Sequence, residues 1–439
     1  FNREIQQSAA RIRSPPGRGI VVDKLTYQIG GLYYPGSERK KGTASSAART
    51  YMEDPNYVKR IIKCPDCGWF GLESESGDTC PFCGNDSLKI IRDMVKPWGV
   101  APKNAKSIPN SQLSEEYTTV QQPLYSTLPK SEDIKIIKGY KNTKMASRTN
   151  QRIIMLNHGL SDHGFMICPD CGASMPGDDP NNLKGVKRPY YSRFAKSQCR
   201  HENAKNINLG YDFITDMLVL EIELNKDEIN VKRNNIWLNR AAQSLAEALR
   251  LSACQELDVE FTELVTGYRY RQNKNGNFID IYLYDSLSSG AGYSINIASI
   301  IDELLTNVEK LLKGCNCESA CYKCLKHYRN QYIHGLLDRY AALDLLRWAK
   351  YGIKPSQLEI EKQKKYLEPL CNIIKEMNGN IIFEKDAISI IHGNMKKRIE
   401  VYPAMWKEPK NKETIYLSDA YLKYAKPYSL DKIINEIGL

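Results

Sequence analysis

"GCNCESACYKCLKHYRN", residues 314–330, sets four cysteines within ten residues and then turns basic and aromatic. Cys315, Cys317, Cys321 and Cys324 form C-x-C-x3-C-x2-C, close enough for all four thiols to reach one metal ion. Four thiolates complete the ligand set of a structural zinc. An iron–sulfur cluster also uses four cysteines, although its usual spacings differ, so it stays open as the competing reading. An apolar helical pattern, "SINIASIIDELLTNVEKLLKG", runs up to Gly314, and a second, "LLDRYAALDLLRWAK", follows the cluster. The metal therefore hangs on helix ends. Gly314 is expected at the C′ position of the first helix.

Two further sets lie upstream. Cys64, Cys67, Cys80 and Cys83 form C-x2-C-x12-C-x2-C, each pair followed by a glycine, Gly68 or Gly84, that lets the chain turn tightly. This is the spacing of a zinc ribbon. Cys168 and Cys171 make a similar knuckle before Gly172, and Cys199 with His201 supplies the other half. Imidazole is an accepted zinc ligand, and His163 is the alternative to His201. Eleven of the 13 cysteines and His201, so grouped, imply about three zinc ions per chain; Cys254 and Cys371 stand apart on apolar helical faces and read as small core residues. Thirteen cysteines without a secretion signal favour metal over disulfides.

The rest of the chain is consistent with a mixed α/β protein: a zinc ribbon, a zinc-stapled α/β core and a small C-terminal α/β unit. At 439 residues it exceeds one ordinary core. The expected divisions are 1–102, β-rich with the ribbon; 103–150, a Ser- and Pro-rich linker or inserted loop; 151–354, the stapled core; and 355–439. The core reads as strand "LVLEIEL", helix "AAQSLAEALRLSACQEL", strand "FIDIYLYD" and the two helices that flank the cluster. The chain opens on Phe1 rather than Met, which suggests a piece of a longer protein. Mean hydropathy is −0.49, and no run of about 18 apolar residues occurs, so no membrane partner is expected and the location reads as cytoplasmic. The net charge of +11 leans toward a polyanion, though thiolate ligation of three zinc ions would lower it by about five units.

No G-x4-G-K-[ST], G-x-S-x-G or H-E-x-x-H occurs. The chain therefore carries no ATP motor of its own. "GYRYRQNKNG" interleaves Tyr268 and Tyr270 with Arg269 and Arg271, a pattern that suits base stacking and phosphate neutralisation, or equally an exposed hairpin edge. Lys326, His327, Tyr328 and Arg329, with His334 and Arg339, would present a second basic face beside the zinc. "YLYDSLSSGAGYS" offers Asp285, Gly290, Ala291 and Gly292 at a strand-to-helix turn. It can hold a phosphate on helix amides or simply be a turn capped by Asp285. A nuclease is the minor alternative: Glu400 and Asp386 are carboxylates near strands, but Tyr402 stands where a catalytic lysine is wanted.

Taken together, "SLAEALRLSACQELDVE", "IYLYDSLSSGAGY" and "CNCESACYKCLKHYRNQYIHGLLDRYAALDLL" resemble the MrfA-type zinc-binding domain, over about Asn208 to Lys350. The Cys199–His201 pair before "LGYDFITD" looks similar, and "PPGRGIVVDKLTYQIGGLYYPG" more distantly resembles large phage-defence helicases of Druantia type. That family implies the C-terminal region of a superfamily 2 DEAD/DEAH-box helicase. The resemblance implies an accessory region that binds nucleic acid, DNA before RNA, in defence or repair. ATP would enter only through helicase lobes in cis or on a helicase subunit in trans. The nearest alternative is a scaffold subunit without a motor, like the DISARM partner protein.

Overall fold

The computed structural model describes residues 15–33, 44–104, 106–109, 124–126, 134–187, 199–232, 234–274 and 276–438. The basic loop "GSERKKG" and most of the Ser- and Pro-rich stretch lie outside these residues. The chain forms two compact units rather than four consecutive segments. The first is Phe1–Lys130, Arg148–Met217 and Tyr284–Tyr293; the second is Ser131–Ser147, Leu218–Leu283 and Ser294–Leu439. The strands Thr143–Asn157, Lys205–Leu224 and Gly276–Asp285 each give residues to both. The first begins inside the expected 103–150 linker. Its polar half, "TKMASRTN", hides the strand, because only Thr143 and Ala146 there are buried.

In the first unit the metal-binding segments are hairpins. Ile61–Lys63 pairs antiparallel with Phe70–Leu72 and with Lys89–Ile90, which frames the ribbon. Phe165–Ile167 pairs with Ser174–Pro176 across the Cys168 knuckle, and on its other edge with the start of Lys205–Leu224. These short strands are buried at consecutive positions, Phe70–Leu72, Phe165–Ile167 and Ser174–Pro176 throughout, so both of their faces are covered. Ile61, Phe70, Leu72, Met94, Ile154 and Leu156 form one core cluster, and Leu32, Tyr51, Phe165, Ile167, Ile207 and Leu209 another.

The second unit is built round the helix Ile236–Leu257. It starts five residues before the expected Ala241, because Asn235 caps it by accepting from the Trp237 N–H. Alanines at 241, 242, 246, 248 and 253 are buried on several sides, so neighbours approach closely all round. Ile301–Lys313 and Arg339–Tyr351 pack against it. The helix expected from Ser294 is two, Tyr293–Ser299 and Ile301–Lys313, broken at Ile300. Gly314 is a cap, but with φ −73° it does not use the left-handed conformation expected of it; Gly352, at φ +65°, does.

The C-terminal residues form a four-stranded sheet. Gly379–Phe383, Ile388–His392 and Met395–Tyr402 are an antiparallel meander, and Thr414–Ser418, which sequence reading missed, lies parallel to the third. The sheet has its own core, including Leu367, Ile390, Val401, Leu417 and Ile433. It is nevertheless part of the second unit rather than the separate 355–439 domain expected. The Asn230 N–H donates to the Met405 carbonyl (2.9 Å), and Tyr424 Oη donates to Asp338.

Asp344, on Arg339–Tyr351, is affected by this packing. Burial first, then the Asp419 carboxylate, pushes its pKa up to about 7, while burial pushes Asp419 up to about 6. Arg347 and Lys362 offset this only in part. A raised folded-state pKa gives stability that is full below the unfolded value near 3.8 and is lost as pH rises through 6 to 7. Asp344→Asn is therefore expected to raise the thermal midpoint at pH 8, with the gain shrinking toward pH 5. Equal gains at both pH values would contradict the assignment.

Candidate metal centres

Each cysteine set closes on a point. In the ribbon, Sγ atoms lie 3.6 Å apart for Cys64–Cys83 and 3.5 Å for Cys67–Cys80. In the second set, Cys168–Cys199 is 3.6 Å and Cys171 Sγ to His201 Nδ1 is 3.3 Å. In the third, Cys315–Cys321 is 3.5 Å, Cys317–Cys324 3.7 Å and Cys321–Cys324 3.9 Å. A disulfide would need about 2.05 Å. A tetrahedral zinc with Zn–S near 2.3 Å has sulfur–sulfur edges of about 3.8 Å. All donor atoms of a set lie within 4.8 Å of one another. This fits one ion; the thiolates of an iron–sulfur cubane attach to different irons and stand farther apart. His163 is not the fourth ligand of the second set, since its Nδ1 pairs with Asp178 at 2.8 Å.

The first two sites use the same local device. Gly68, Gly84 and Gly172, at φ +75°, +78° and +74°, turn the chain so that their N–H groups donate to the carbonyls of Cys64, Cys80 and Cys168. The third site is a loop held from below. Arg339 is buried; its Nη1 donates to the Leu312 carbonyl (2.9 Å) and its Nε to the Cys317 carbonyl (3.1 Å). Asn330, fully buried, donates to Glu247 on the central helix and to the Leu325 carbonyl, both at 2.9 Å. Burial raises the Glu247 pKa.

The residues expected to meet nucleic acid divide sharply. Arg269 and Arg271 are 6% and 8% exposed. Arg271 grips Asp280 with Nε at 3.0 Å and Nη2 at 3.1 Å, also pairs with Glu221, and stacks on Phe278. Arg269 faces the same Asp280 at 3.9 Å. Tyr270 donates to Asn277, and burial raises the Tyr268 pKa. Alternation places the two arginines on one face of the strand, but that face is inside, with Asp280 on the neighbouring strand as counter-charge. His327 also turns inward. It stacks on Phe261 at 4.3 Å and its Nδ1 accepts from the Arg329 N–H, capping the turn Tyr328–Leu336. Lys326 is half-buried, whereas Tyr328 and Arg329 are exposed. Sequence reading passed over exposed Tyr322, Lys323 and Tyr332, which stand among or just after the ligands and drew no attention beside them.

The glycine turn is not a phosphate site. The Asp285 carboxylate already accepts from the Ala291 N–H (2.7 Å) and the Tyr293 N–H (3.0 Å), and Asp216 accepts from Gly292. The amides that would hold an anion are taken by two carboxylates. A Cβ on Gly290, at φ +76°, would lie 2.1 Å from the Asp216 carboxylate. As for a nuclease, Glu400 accepts from Gln357, and among the described residues the groups of three or more potential metal ligands are the three cysteine sets.

Residues 241–325 match the family model of the MrfA Zn-binding domain. The chain contains an MrfA-type zinc-binding domain. The matched span of this MrfA-type domain runs from the central helix through the glycine turn to the last ligand of the third site. The Druantia protein DruE of Escherichia coli (strain UMEA 4076-1) is 33% identical over 379 residues, 81% of this chain and 20% of the relative. The chain thus spans about a fifth of the length of that relative. Two crystal structures of the helicase MrfA were also found. The DNA-bound form shares 12% identity at a TM-score of 0.32, covering 68% of this chain and 38% of that one. The form with DNA and AMPPNP shares 11% at 0.26, covering 75% and 35%. TM-scores this low do not establish a common overall fold.

Metal analysis of the purified chain is expected to give three zinc ions and no iron; iron at the third site would overturn the single-ion reading. Replacing Cys321 or Cys324 by Ser should yield misfolded protein, because metal binding supplies folding free energy of order ~10 kcal/mol. Arg271→Met removes the closer of the two arginines at Asp280 and the partner of Glu221, and urea denaturation should show a loss of up to about 3–5 kcal/mol with zinc content unchanged.

Proposed function

We propose that this chain is a zinc-stapled, nucleic-acid-binding accessory region of a superfamily 2 helicase acting in antiviral defence or repair in the cytoplasm. ATP would be used only by helicase lobes in the same polypeptide or in a partner subunit. The MrfA-type domain and the similarity to a Druantia protein support the setting. One observation carries the binding role. Around the third zinc site Tyr322, Tyr328 and Tyr332 are 69%, 76% and 79% exposed, beside exposed Lys323 and Arg329. Exposed aromatic faces interleaved with cations suit a single strand, whose bases stack at roughly 1–3 kcal/mol each while phosphates are neutralised. The metal and the buried Asn330 hold the backbone beneath them, so little conformational freedom is lost on binding. Tyr322 is itself ordered edge-on against His334 at 5.5 Å.

The test is a single-stranded oligonucleotide titrated by anisotropy at several salt concentrations, with DNA and RNA of the same sequence compared. Lys323→Ala with Arg329→Ala should weaken binding and flatten the salt slope by about 1.4 units, since each phosphate contact on a single strand contributes about 0.7. Tyr328→Ala should weaken binding with the slope unchanged. If both variants bind as the parent does, the scaffold reading replaces this one.

A further inference from the structure

A second site lies within the C-terminal part of the second unit. A cavity of about 130 Å³ is bounded by the strand Thr414–Ser418, the helices Asp419–Tyr424 and Lys426–Ile437, and by Asn230, Lys232, Asn234 and Asn235. Its walls include Tyr402, Tyr416, Tyr421 and Tyr428. Two serines border it, Ser418 and Ser429, which are 8% and 1% exposed, and neither buried Oγ has a hydrogen-bond partner within the chain. Buried polar atoms are nearly always bonded, so two orphaned hydroxyls in one cavity mark a place for a ligand. Lys232 is exposed at the rim, and Lys432, which pairs with Glu408 and donates to the Tyr416 carbonyl (2.8 Å), adds a second cation.

Size and chemistry narrow the class. The volume is well below the roughly 300–1,000 Å³ of sites for drug-sized ligands, so a single ring system fits and a larger ligand does not. Tyrosine rings favour a flat aromatic group. Serine hydroxyls both donate and accept, as the edge of a nucleobase demands. Lysine ammonium groups suit a phosphate. The walls are already ordered: Tyr421 and Tyr428 rings lie 4.5 Å apart, and Tyr402 meets Tyr416 edge-on at 6.4 Å. We propose that this cavity is a binding site for one nucleotide unit, with its base among the tyrosines and the two serines and its phosphate at Lys232. The unit is either a free mononucleotide or the end of a strand.

Calorimetric titration of the full zinc-loaded chain tests this. Adenosine 5′-monophosphate should bind saturably at one site per chain, adenosine more weakly, and ribose 5-phosphate not measurably. Ser418→Ala and Ser429→Ala should each weaken the monophosphate by about 3- to 10-fold. Lys232→Ala should narrow the gap between monophosphate and adenosine while leaving adenosine unchanged. Competition by a 5′-phosphorylated but not a 5′-hydroxyl oligonucleotide assigns the site to a strand end; competition by neither assigns it to the free nucleotide. The pair Lys323→Ala and Arg329→Ala, neither of which lines the cavity, should leave monophosphate binding intact, so the two sites succeed or fail separately. No saturable binding of the monophosphate, equal binding of ribose 5-phosphate, or parental affinity in both serine variants, with thermal midpoints showing them folded, would overturn the assignment.

Discussion

The third zinc site depends on two adjacent residues, Asp338 and Arg339. The Arg339 guanidinium reaches the end of Ile301–Lys313 through the Leu312 carbonyl and the cysteine loop through the Cys317 carbonyl, while the backbone N–H of Arg339 donates to the Ser319 carbonyl. Asp338 caps its own helix, and its N–H donates to Ser244 on the central helix. Its carboxylate also accepts from Tyr424 and Lys423. Four helices and the metal loop therefore meet at one dipeptide. A buried guanidinium is tolerable only because backbone carbonyls receive its donors, and an unpaired one would be costly.

The two kinds of metal site differ in what the ion does. In the hairpin sites, glycine turns and strand pairing already set the shape, and the ion closes it. In the third, nine consecutive residues from Cys315 to Lys323 contain no regular element, so ion, arginine and asparagine together replace the missing ladder of hydrogen bonds. Loops of this sort carry contact residues most effectively when their backbone is immobilised from beneath.

The metal sites were the most legible part of the sequence, because a tetrahedral ion dictates ligand type and spacing locally. Helix positions were legible where apolar periodicity was strong, as in Ile301–Lys313, and less so at the start of Ile236–Leu257, where "IWLNR" was passed over because the cap at Asn235 shows only in the fold. The basic and aromatic segment at 268–271 was misleading. Its alternation was visible, but Asp280, nine residues on and in the next strand, decides which face is inside. The glycine turn misled in a related way: a run of free amides looks like an anion site until the carboxylate of Asp285 is seen to fill it. Tyr322 and Tyr332 were overlooked because exposure is a property of the fold, and an isolated tyrosine looks alike in a core and on a surface.

The alanine-lined central helix has a consequence for how such a chain can vary. Five alanines with almost no exposed surface leave no spare volume, so any larger residue there must be answered by a smaller one on a neighbouring element. Paired changes of that kind arise rarely. The helix is therefore expected to drift slowly while the exposed Lys323, Tyr328 and Arg329 around the third zinc remain open to replacement. A lineage could change what it grips there many times over without rebuilding the frame that holds the grip.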